Sequence, residues 1–433
     1  MATVTRLEPF ARGSDAAPEP WGAALANRRF RTLLLAVAGV PIALAYSWYG
    51  VIWPLMWHET SDFRHWYFDG ARIVSSGGDP YRCTGTFCTG ATEQWLGAAG
   101  SIYPPFALWI VQPLTHFDAS AMDAAALIAA NICLALFIWT TIRALQIGHW
   151  QERALVALVC MGFAPTLTEV QNRNFQVLIL ALSAVVLLAW QRGGRWWGGL
   201  ALGFGLAVKI VQAPLLLLAL GRRRWWLAAT ALITWVLLWL VAVPRLLPEY
   251  LFQVLPSVGS GSGAEMNVAP LGMVARVLHP GSLYQQGRGV DFAVLAITAV
   301  FGLGVLLATA ARLGAQRRDG LGGAIEIAVA VAATPLLLTL VWAGQLIVLL
   351  LPMAVLLHLG LHSGSRFLIS AVAISWFLIG PIYLAFTNAF AAGIGFPLLF
   401  EVWSNSAFAG MVVLWFAALY ALGAKGSETQ ISR

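Results

Sequence analysis

The chain is a succession of long apolar runs separated by short polar joints. The first run extends from Thr32 to Pro54, behind Arg28, Arg29 and Arg31. Others follow at about 121–143, 153–169, 175–190, 225–243, 291–311, 322–340, 343–360, 367–386 and 406–423. Such runs approach the ~20 residues that a helix needs to cross a hydrocarbon core of about 30 Å. The block 196–220 is also apolar but holds Lys209 at its middle. A lysine at the centre of a spanning helix costs about 2.5–3.5 kcal/mol. Two short passes breaking near Lys209 avoid that cost. They also keep Arg222, Arg223 and Arg224 on the same side as Arg143, Arg153, Arg192, Arg195, Arg312, Arg317, Arg318, Arg366 and Lys425. Placing that side in the cytoplasm satisfies the positive-inside rule. The pattern therefore predicts an all-α polytopic membrane protein of about twelve passes, with both ends inside.

Composition agrees with this class. The chain is 59% hydrophobic and 10% charged, against about 25% charged in soluble domains. Its 20 tryptophans suit an interfacial belt. The net charge of +7 comes from cations scattered through the joints, so nucleic acid is not an implied partner. There is no phosphate-binding loop of the Walker type, which argues against a soluble nucleotide as direct substrate. The polar stretch 1–27 reads as a disordered cytoplasmic tail, and 28–243 as a first membrane module. The segment 244–290 reads as a second outer loop, 291–424 as a C-terminal membrane module, and 425–433 as a cytoplasmic tail.

One polar joint differs from the rest. Residues 55–105 gather Asp62, Arg64, His65, Asp69, Arg72, Asp79, Arg82 and Glu93 directly after the first run. Phe63, Trp66, Tyr67, Gly70 and Val74 recur at helical spacing there, which predicts an amphipathic helix lying along the interface. Asp62 stands where its N-cap would be. Capping is one reading of Asp62, although Thr60 and Ser61 could cap equally well. The other reading is a catalytic base. Cys83 and Cys88 flank four residues of the same loop, which predicts a small disulfide in an oxidising compartment. Asp79, before Pro80, reads as a turn residue. With this topology Tyr103, the Gln171–Asn174 joint, Lys209, Asn267 and the Trp342–Gln345 joint all face the side of Asp62. A site assembled from distant segments thus converges on one membrane face. The run Ser257–Gly263 is flexible by composition and reads equally as a linker or a lid.

Several segments together resemble glycosyltransferase family 87, within the GT-C class of polytopic glycosyltransferases that use polyprenyl-phosphate sugars. The resemblance rests on Asp62-Phe63-Arg64-His65-Trp66-Tyr67, Gly77-Gly78-Asp79-Pro80-Tyr81, and Tyr103-Pro104-Pro105-Phe106 followed by Pro113-Leu114. It continues through Asn174-Phe175-Gln176-Val177, the glycine-rich stretch Gly203 to Lys209 with Pro214, and Arg222-Arg223-Arg224-Trp225. Many members carry paired histidines after a late Ser-Pro and Trp. Here Thr334-Pro335 and Trp342 lead to Ala343-Gly344-Gln345, which leaves Gln345 in their place.

The resemblance implies a GT-C-like bundle in the bacterial inner membrane, with its site on the periplasmic face. It also implies inverting transfer of mannose or arabinofuranose from a polyprenyl phosphate to a lipid or glycan acceptor of the cell envelope. The chemistry is simple in outline. A lipid phosphate is a good leaving group and needs no general acid, so one carboxylate suffices as base, and Asp62 is the candidate. The departing charge needs cations, for which Lys209, Arg173, Arg64 and His65 are candidates. Tyr67, Tyr103, Asn174, Gln176, Asn267, Trp342 and Gln345 are candidates for holding substrate. The mechanism tolerates a divalent ion but does not require one, and no compact carboxylate cluster or other metal site is evident. No cofactor is implied. The competing class is a transporter or flippase of a lipid-linked glycan. The break at Lys209 has no counterpart in the second half of the chain, and this argues for the enzyme.

Overall fold

The computed structural model describes residues 28–56, 61–81, 101–259, 261, 263, 267–279, 290–314, 318–382 and 405–431. The regular secondary structure of these residues is helical, apart from an isolated antiparallel bridge between Asn267 and Trp342. Helix α1, Arg28–Tyr46, runs through a π-helical turn into Trp53–Met56. A second π-helical turn, Phe63–Phe68, leads into α2, Asp69–Ser75. Then come α3 (Pro105–Trp109), α4 (Ala119–Ala144), α5 (Trp150–Met161), α6 (Ala164–Gln171) and α7 (Gln176–Gln191). Helices α8 (Trp196–Val208), α9 (Ala213–Gly221) and α10 (Trp225–Val241) complete the first half. The second half holds α11 (Pro270–Leu278), α12 (Phe292–Leu313), α13 (Gly320–Leu337), α14 (Leu350–Ser363), α15 (Arg366–Ile379) and α16 (Ser406–Ile431).

Six helical stretches are long and apolar enough to cross a membrane, and eight if the two bent pairs each count as one span. The expectation of about twelve passes is therefore not established. The remaining predicted passes correspond to shorter apolar helices: α7, α8, α15, and Ile210–Gly221, which includes α9. At 1.5 Å per residue, the 16 residues of α7 extend only about 24 Å. The protein is nonetheless built for lipid. Leu33, Val37, Trp226, Phe292 and Val300 are all more than half exposed. Helices α13 and α14 form the centre and α12 the periphery. Close helix approach uses glycine: a Cβ at Gly203 would lie 2.4 Å from the Ala231 carbonyl oxygen of α10. Gly199 and Gly203 together make a small-xxx-small seam.

Charge segregates along the bundle. Arg222 donates to the carbonyls of Leu313 and Gly314 and pairs with Glu326 at 2.9 Å. Arg224 pairs with Asp319, and Arg318 donates to the Leu422 carbonyl. These cations gather at the end of the bundle opposite Asp62. Part of the run expected to be flexible is ordered instead, because Leu255–Gly259 forms a helical turn continuous with Tyr250–Val254. Helix α16 runs on to Ile431, beyond the predicted end of the last pass.

Candidate active site

The interfacial helix forms where the sequence predicts it, but with a different buried face. Phe63, Tyr67, Gly70 and Val74 are buried as expected, and Phe68 and Ala71 join them. The π-helical turn widens the repeat, so Phe63 and Phe68 share a face five residues apart, with ring centroids 6.3 Å apart. This face covers the ends of α7, α8 and α10 through Ile179, Val208 and Trp239.

The capping question has a clear structural answer. Ser61 caps the helix: its hydroxyl accepts from the Arg64 N–H at 3.1 Å and its carbonyl from the His65 N–H at 2.9 Å. The Ser61 hydroxyl also donates to Asp123 on α4. Asp62 makes no capping bond. Its carboxylate accepts from Asn174 Nδ2 at 2.8 Å. Burial pushes the Asp62 carboxyl above the usual carboxylate range, opposed by that hydrogen bond and by the charges of Lys209 and His65.

Asn174 is the hub of the site. It follows Arg173, whose φ of +51° turns the chain sharply between α6 and α7. Asn174 Oδ1 accepts from the Gln176 N–H at 3.0 Å and from the Tyr67 hydroxyl at 3.2 Å. Its Nδ2 donates to Asp62 and, at 3.3 Å, to the Tyr103 hydroxyl. A backbone N–H can only donate, so the amide orientation is fixed and its nitrogen must face Asp62. The Tyr67 and Tyr103 rings stack at 4.2 Å, and Phe175 lies 4.3 Å from Tyr67. Burial and then the Asp62 charge hold the Tyr103 phenol above its ordinary range, so it stays protonated.

The break at Lys209 is present. Helix α8 ends at Val208, Lys209 is extended (φ −160°, ψ 122°), and a 3₁₀ turn, Ile210–Gln212, leads into α9. The freed carbonyl of Ala207 accepts from Trp239 Nε1 at 3.1 Å. Gln212 Nε2 donates to Ile179 O and Ser183 Oγ on α7. The break aims Lys209 Nζ at the face of Tyr103, 5.5 Å from the ring centroid. The ammonium is buried and has no hydrogen-bond partner among the described residues. Its electrostatic neighbours are Glu169 and Asp62.

Glu169 was not singled out by the sequence reading. It sits on α6, is 3% exposed, and lies against Gly344, where an added Cβ would be 2.2 Å from Oε1. Glu169 Oε2 and both side-chain polar atoms of Gln176 have no hydrogen-bond partner among the described residues. A signal existed: Glu169 is the one acid between Arg153 and Gln171, inside an apolar run. Asp123 was missed as well. It joins Ser61 to Arg173, whose Nη2 lies 3.3 Å from Asp123 Oδ2.

The other predicted residues fall around this centre. Arg173 donates to the carbonyls of Gln171 and Pro54 as well as pairing with Asp123, so its guanidinium ties three segments together. Arg64 and His65 are half-buried on the interfacial helix, and His65 packs edge-on against Trp66 at 4.5 Å. Asn267 is fully buried and pins its loop to 339–341, accepting from the Ala269 and Val341 N–H groups and donating to Thr339 O. Trp342 bridges to Asn267, and the Gln345 N–H donates to its carbonyl. Gln345 is half-buried one residue past Gly344. Asp79 makes the expected turn by accepting from the Tyr81 N–H. Cys83 and Cys88, Glu93, the tail 1–27 and Glu265 lie outside the described residues.

Beside the hub is an apolar cleft of about 400 Å³. Phe63, Ile110, Leu114, Met122, Ala126 and Cys133 line it, and Asn174 reaches its wall.

Comparison with known proteins gives this geometry a family. An α-(1→3)-arabinofuranosyltransferase of Corynebacterium glutamicum is 27% identical over 168 residues, covering 36% of this chain and 39% of its own. One from Mycobacterium tuberculosis is 33% identical over 150 residues, 33% of this chain and 31% of its own. A polyprenol-phosphate-mannose-dependent α-(1-2)-phosphatidylinositol mannoside mannosyltransferase of M. tuberculosis is 29% identical over 139 residues, 31% and 32% of the two chains. The chain thus matches between three and four tenths of the length of these relatives. The model of glycosyltransferase family 87 matches residues 102–335, which takes in Tyr103, Glu169, Asn174 and Lys209. As that match covers more than half of the sequence, the chain belongs to glycosyltransferase family 87.

Proposed function

We propose that the protein is an inverting glycosyltransferase of the bacterial inner membrane. It transfers an arabinofuranosyl or mannosyl residue from a polyprenyl phosphate to a hydroxyl of a lipid or glycan acceptor, on the extracytoplasmic face. The observation that carries this reading is Lys209: a buried ammonium without a hydrogen-bond partner among the described residues, beside a carboxylate that caps nothing. An unpaired buried charge is costly, and an anionic ligand relieves that cost. The names of the relatives supply both sugars, arabinofuranose and mannose.

The chemistry follows from the placement. Asp62 takes the proton of the acceptor hydroxyl, and that oxygen attacks the anomeric carbon from the face opposite the phosphate. The bond from the anomeric carbon to the phosphate oxygen breaks, and its electron pair leaves with the polyprenyl phosphate. The new negative charge develops in front of Lys209, where a preorganised cation is worth most. Asn174 holds Asp62 in place, and Tyr103 presents its ring to Lys209. Glu169 is the buried acid beside Lys209. The apolar cleft beside Asn174 suits the polyprenyl chain, whose burial is favourable at about 25 cal/mol per Å².

The test is an assay of purified protein in nanodiscs with polyprenyl-phosphate arabinofuranose and polyprenyl-phosphate mannose, given separately with membrane lipid extract. Transfer from one of them, lost in Lys209→Met, is the expected result. Transfer from neither donor, or full turnover by Lys209→Met, sinks the proposal.

A further inference from the structure

The broken span that carries Glu169 has a second polar end. Helices α5 and α6 run from Trp150 to Gln171 with a bend of 60°, roughly 30 Å of helix at about 1.5 Å per residue. Glu169 and Asn174 lie at one end of it. Glu152 lies in the first turn at the other. Facing Glu152 across the bundle are His358 and His362, one helical turn apart on α14 and therefore on one face.

We propose that Glu152, His358 and His362 form a binding site for a borderline divalent cation of the Zn²⁺ class, remote from the glycosyl-transfer site. One ligand atom from each of the three residues lies within 4.8 Å of the others. Glu152 Oε1 is 2.6 Å from His358 Nδ1 and 3.9 Å from His362 Nδ1. The two imidazole rings are 4.2 Å apart. Two nitrogens and one carboxylate oxygen make a donor set that Zn²⁺ accepts, with its fourth position left to water. The ligands need to open only slightly around an ion at about 2.0–2.1 Å from each. Glu152 and His358 are buried, whereas the His362 side chain is 44% exposed and gives the ion a way in.

The simpler reading is a buried Glu152–His358 pair. That reading places His362 through its Nδ1, which lies 2.9 Å from the His358 carbonyl, and the same nitrogen also comes within 3.9 Å of the carboxylate oxygen that His358 meets. Two protonated rings at that spacing would repel. Without an ion, each Nδ1 donates to an oxygen, His358 to Glu152 and His362 to the His358 carbonyl; to bind a dication each ring would carry its hydrogen on Nε2 and turn the Nδ1 lone pair to the metal. The consequence is structural. The ion joins α5, in the half of the chain that carries Asp62, Glu169 and Lys209, to α14, which directly follows the Trp342–Gln345 joint. It would clasp the two sides of the glycosyl-transfer site from the opposite end of the bundle, without touching substrate.

The experiment uses the full chain, purified through a tag that contains no histidine, stripped with chelator and titrated with Zn²⁺. The wild type is expected to retain one equivalent of zinc by elemental analysis, with a melting temperature that rises with free Zn²⁺. His362→Ala, chosen because this side chain is the most exposed of the three, is expected to weaken Zn²⁺ binding by at least about tenfold. Even groups behind metal ligands are worth about 10–100-fold in affinity. Glu152→Gln keeps the shape of the buried side chain and is expected to weaken binding likewise. Failure of the wild type to hold one equivalent overturns the proposal. So does either variant binding within tenfold of the wild type, since the ion would then sit elsewhere. Both readouts are independent of sugar transfer, so the result bears on this site alone.

Discussion

Replacing Asp62 by Asn separates the two roles that a carboxylate at a helix start can play. Asn and Asp cap helices almost equally, so a capping Asp62 would tolerate the change. In the structure the cap is Ser61, and the Asp62 carboxylate meets only the Asn174 amide among the hydrogen bonds described. The substituted amide could still accept from Asn174 Nδ2 through its own oxygen. The change therefore exchanges a charge-assisted bond, worth about 1.5–3 kcal/mol, for a neutral one worth about 0.5–1.5 kcal/mol. It also relieves the burial of a charge, so the two effects largely offset and stability should move by less than about 1 kcal/mol. Catalysis should respond differently. Loss of a positioned base costs about 10²–10⁴ in rate, or about 2.7–5.4 kcal/mol in the barrier at about 1.36 kcal/mol per decade.

The control is Ser61→Ala. It removes the helix cap, at about 1 kcal/mol, together with the bond to Asp123. It leaves the base in place. Single-turnover transfer in nanodiscs, beside thermal unfolding of each variant, reads both quantities. Asp62→Asn should lose rate and keep its melting temperature, while Ser61→Ala should lower the melting temperature and keep most of its rate. Near-normal turnover by Asp62→Asn at unchanged stability refutes the assignment of Asp62 as base.

Further outcomes follow from the same geometry. Because burial raises the Asp62 carboxyl, the wild-type rate should fall as pH drops through a midpoint above the ordinary value of about 3.9; a pH–rate profile flat down to about pH 4 contradicts this. Lys209→Met should weaken binding of a polyprenyl phosphate by about 10- to 150-fold, the worth of a charged hydrogen bond, and a displacement assay with unlabelled lipid phosphate measures it. Gly344→Ala should displace Glu169, because the added Cβ would lie 2.2 Å from Oε1, at a cost of about 1–3 kcal/mol that thermal unfolding detects. A cysteine placed at Asn172 should react with an impermeant reagent from the outside of intact cells; labelling only after permeabilisation inverts the proposed topology.

How far the sequence spoke for the structure depended on whether a residue's surroundings were local. The interfacial helix, the turn at Asp79 and the break at Lys209 each follow from neighbours in the chain, and each is present. The convergence of Tyr67, Tyr103, Asn174 and Asp62 was legible as shared sidedness, and the structure joins them through one amide. What sequence could not supply was partner choice. Ser61 and Asp62 are equally good caps, and only the packing of α4 draws Ser61 toward Asp123 and leaves Asp62 to Asn174. Arg173 stood beside Asn174 as a free cation in the sequence, yet it is bound to Asp123 and to two carbonyls. Glu169 was hidden for the opposite reason, because one acid in an apolar run acquires meaning only when Lys209 and Gly344 arrive from elsewhere. The pass count is not established, since α7, α8 and α15 are apolar but shorter than a full span.

These departures share a cause. The site is built where helices stop and not along their faces. Chain irregularities at Arg173, at Lys209 and between Leu337 and Ala343 bring Asn174, Lys209 and Gly344 to one end of the bundle. Broken backbone at membrane depth is tolerated only where protein buries it or water reaches it. Here each break is repaired by a specific side chain: Trp239 serves Ala207, Asn174 serves Gln176, and Asn267 serves Thr339 and Val341. Among the described residues, the buried side-chain atoms near the site that stay without a hydrogen bond include Lys209 Nζ, Glu169 Oε2, both polar atoms of Gln176, Arg173 Nε and Gln212 Oε1. The fold thus leaves a buried ammonium without a hydrogen bond next to a carboxylate held by a single amide, and the proposed function assigns both groups to the ligand. Substitution at the repairs should loosen the bundle, whereas substitution at Lys209 or Asp62 should spare the fold and stop the chemistry.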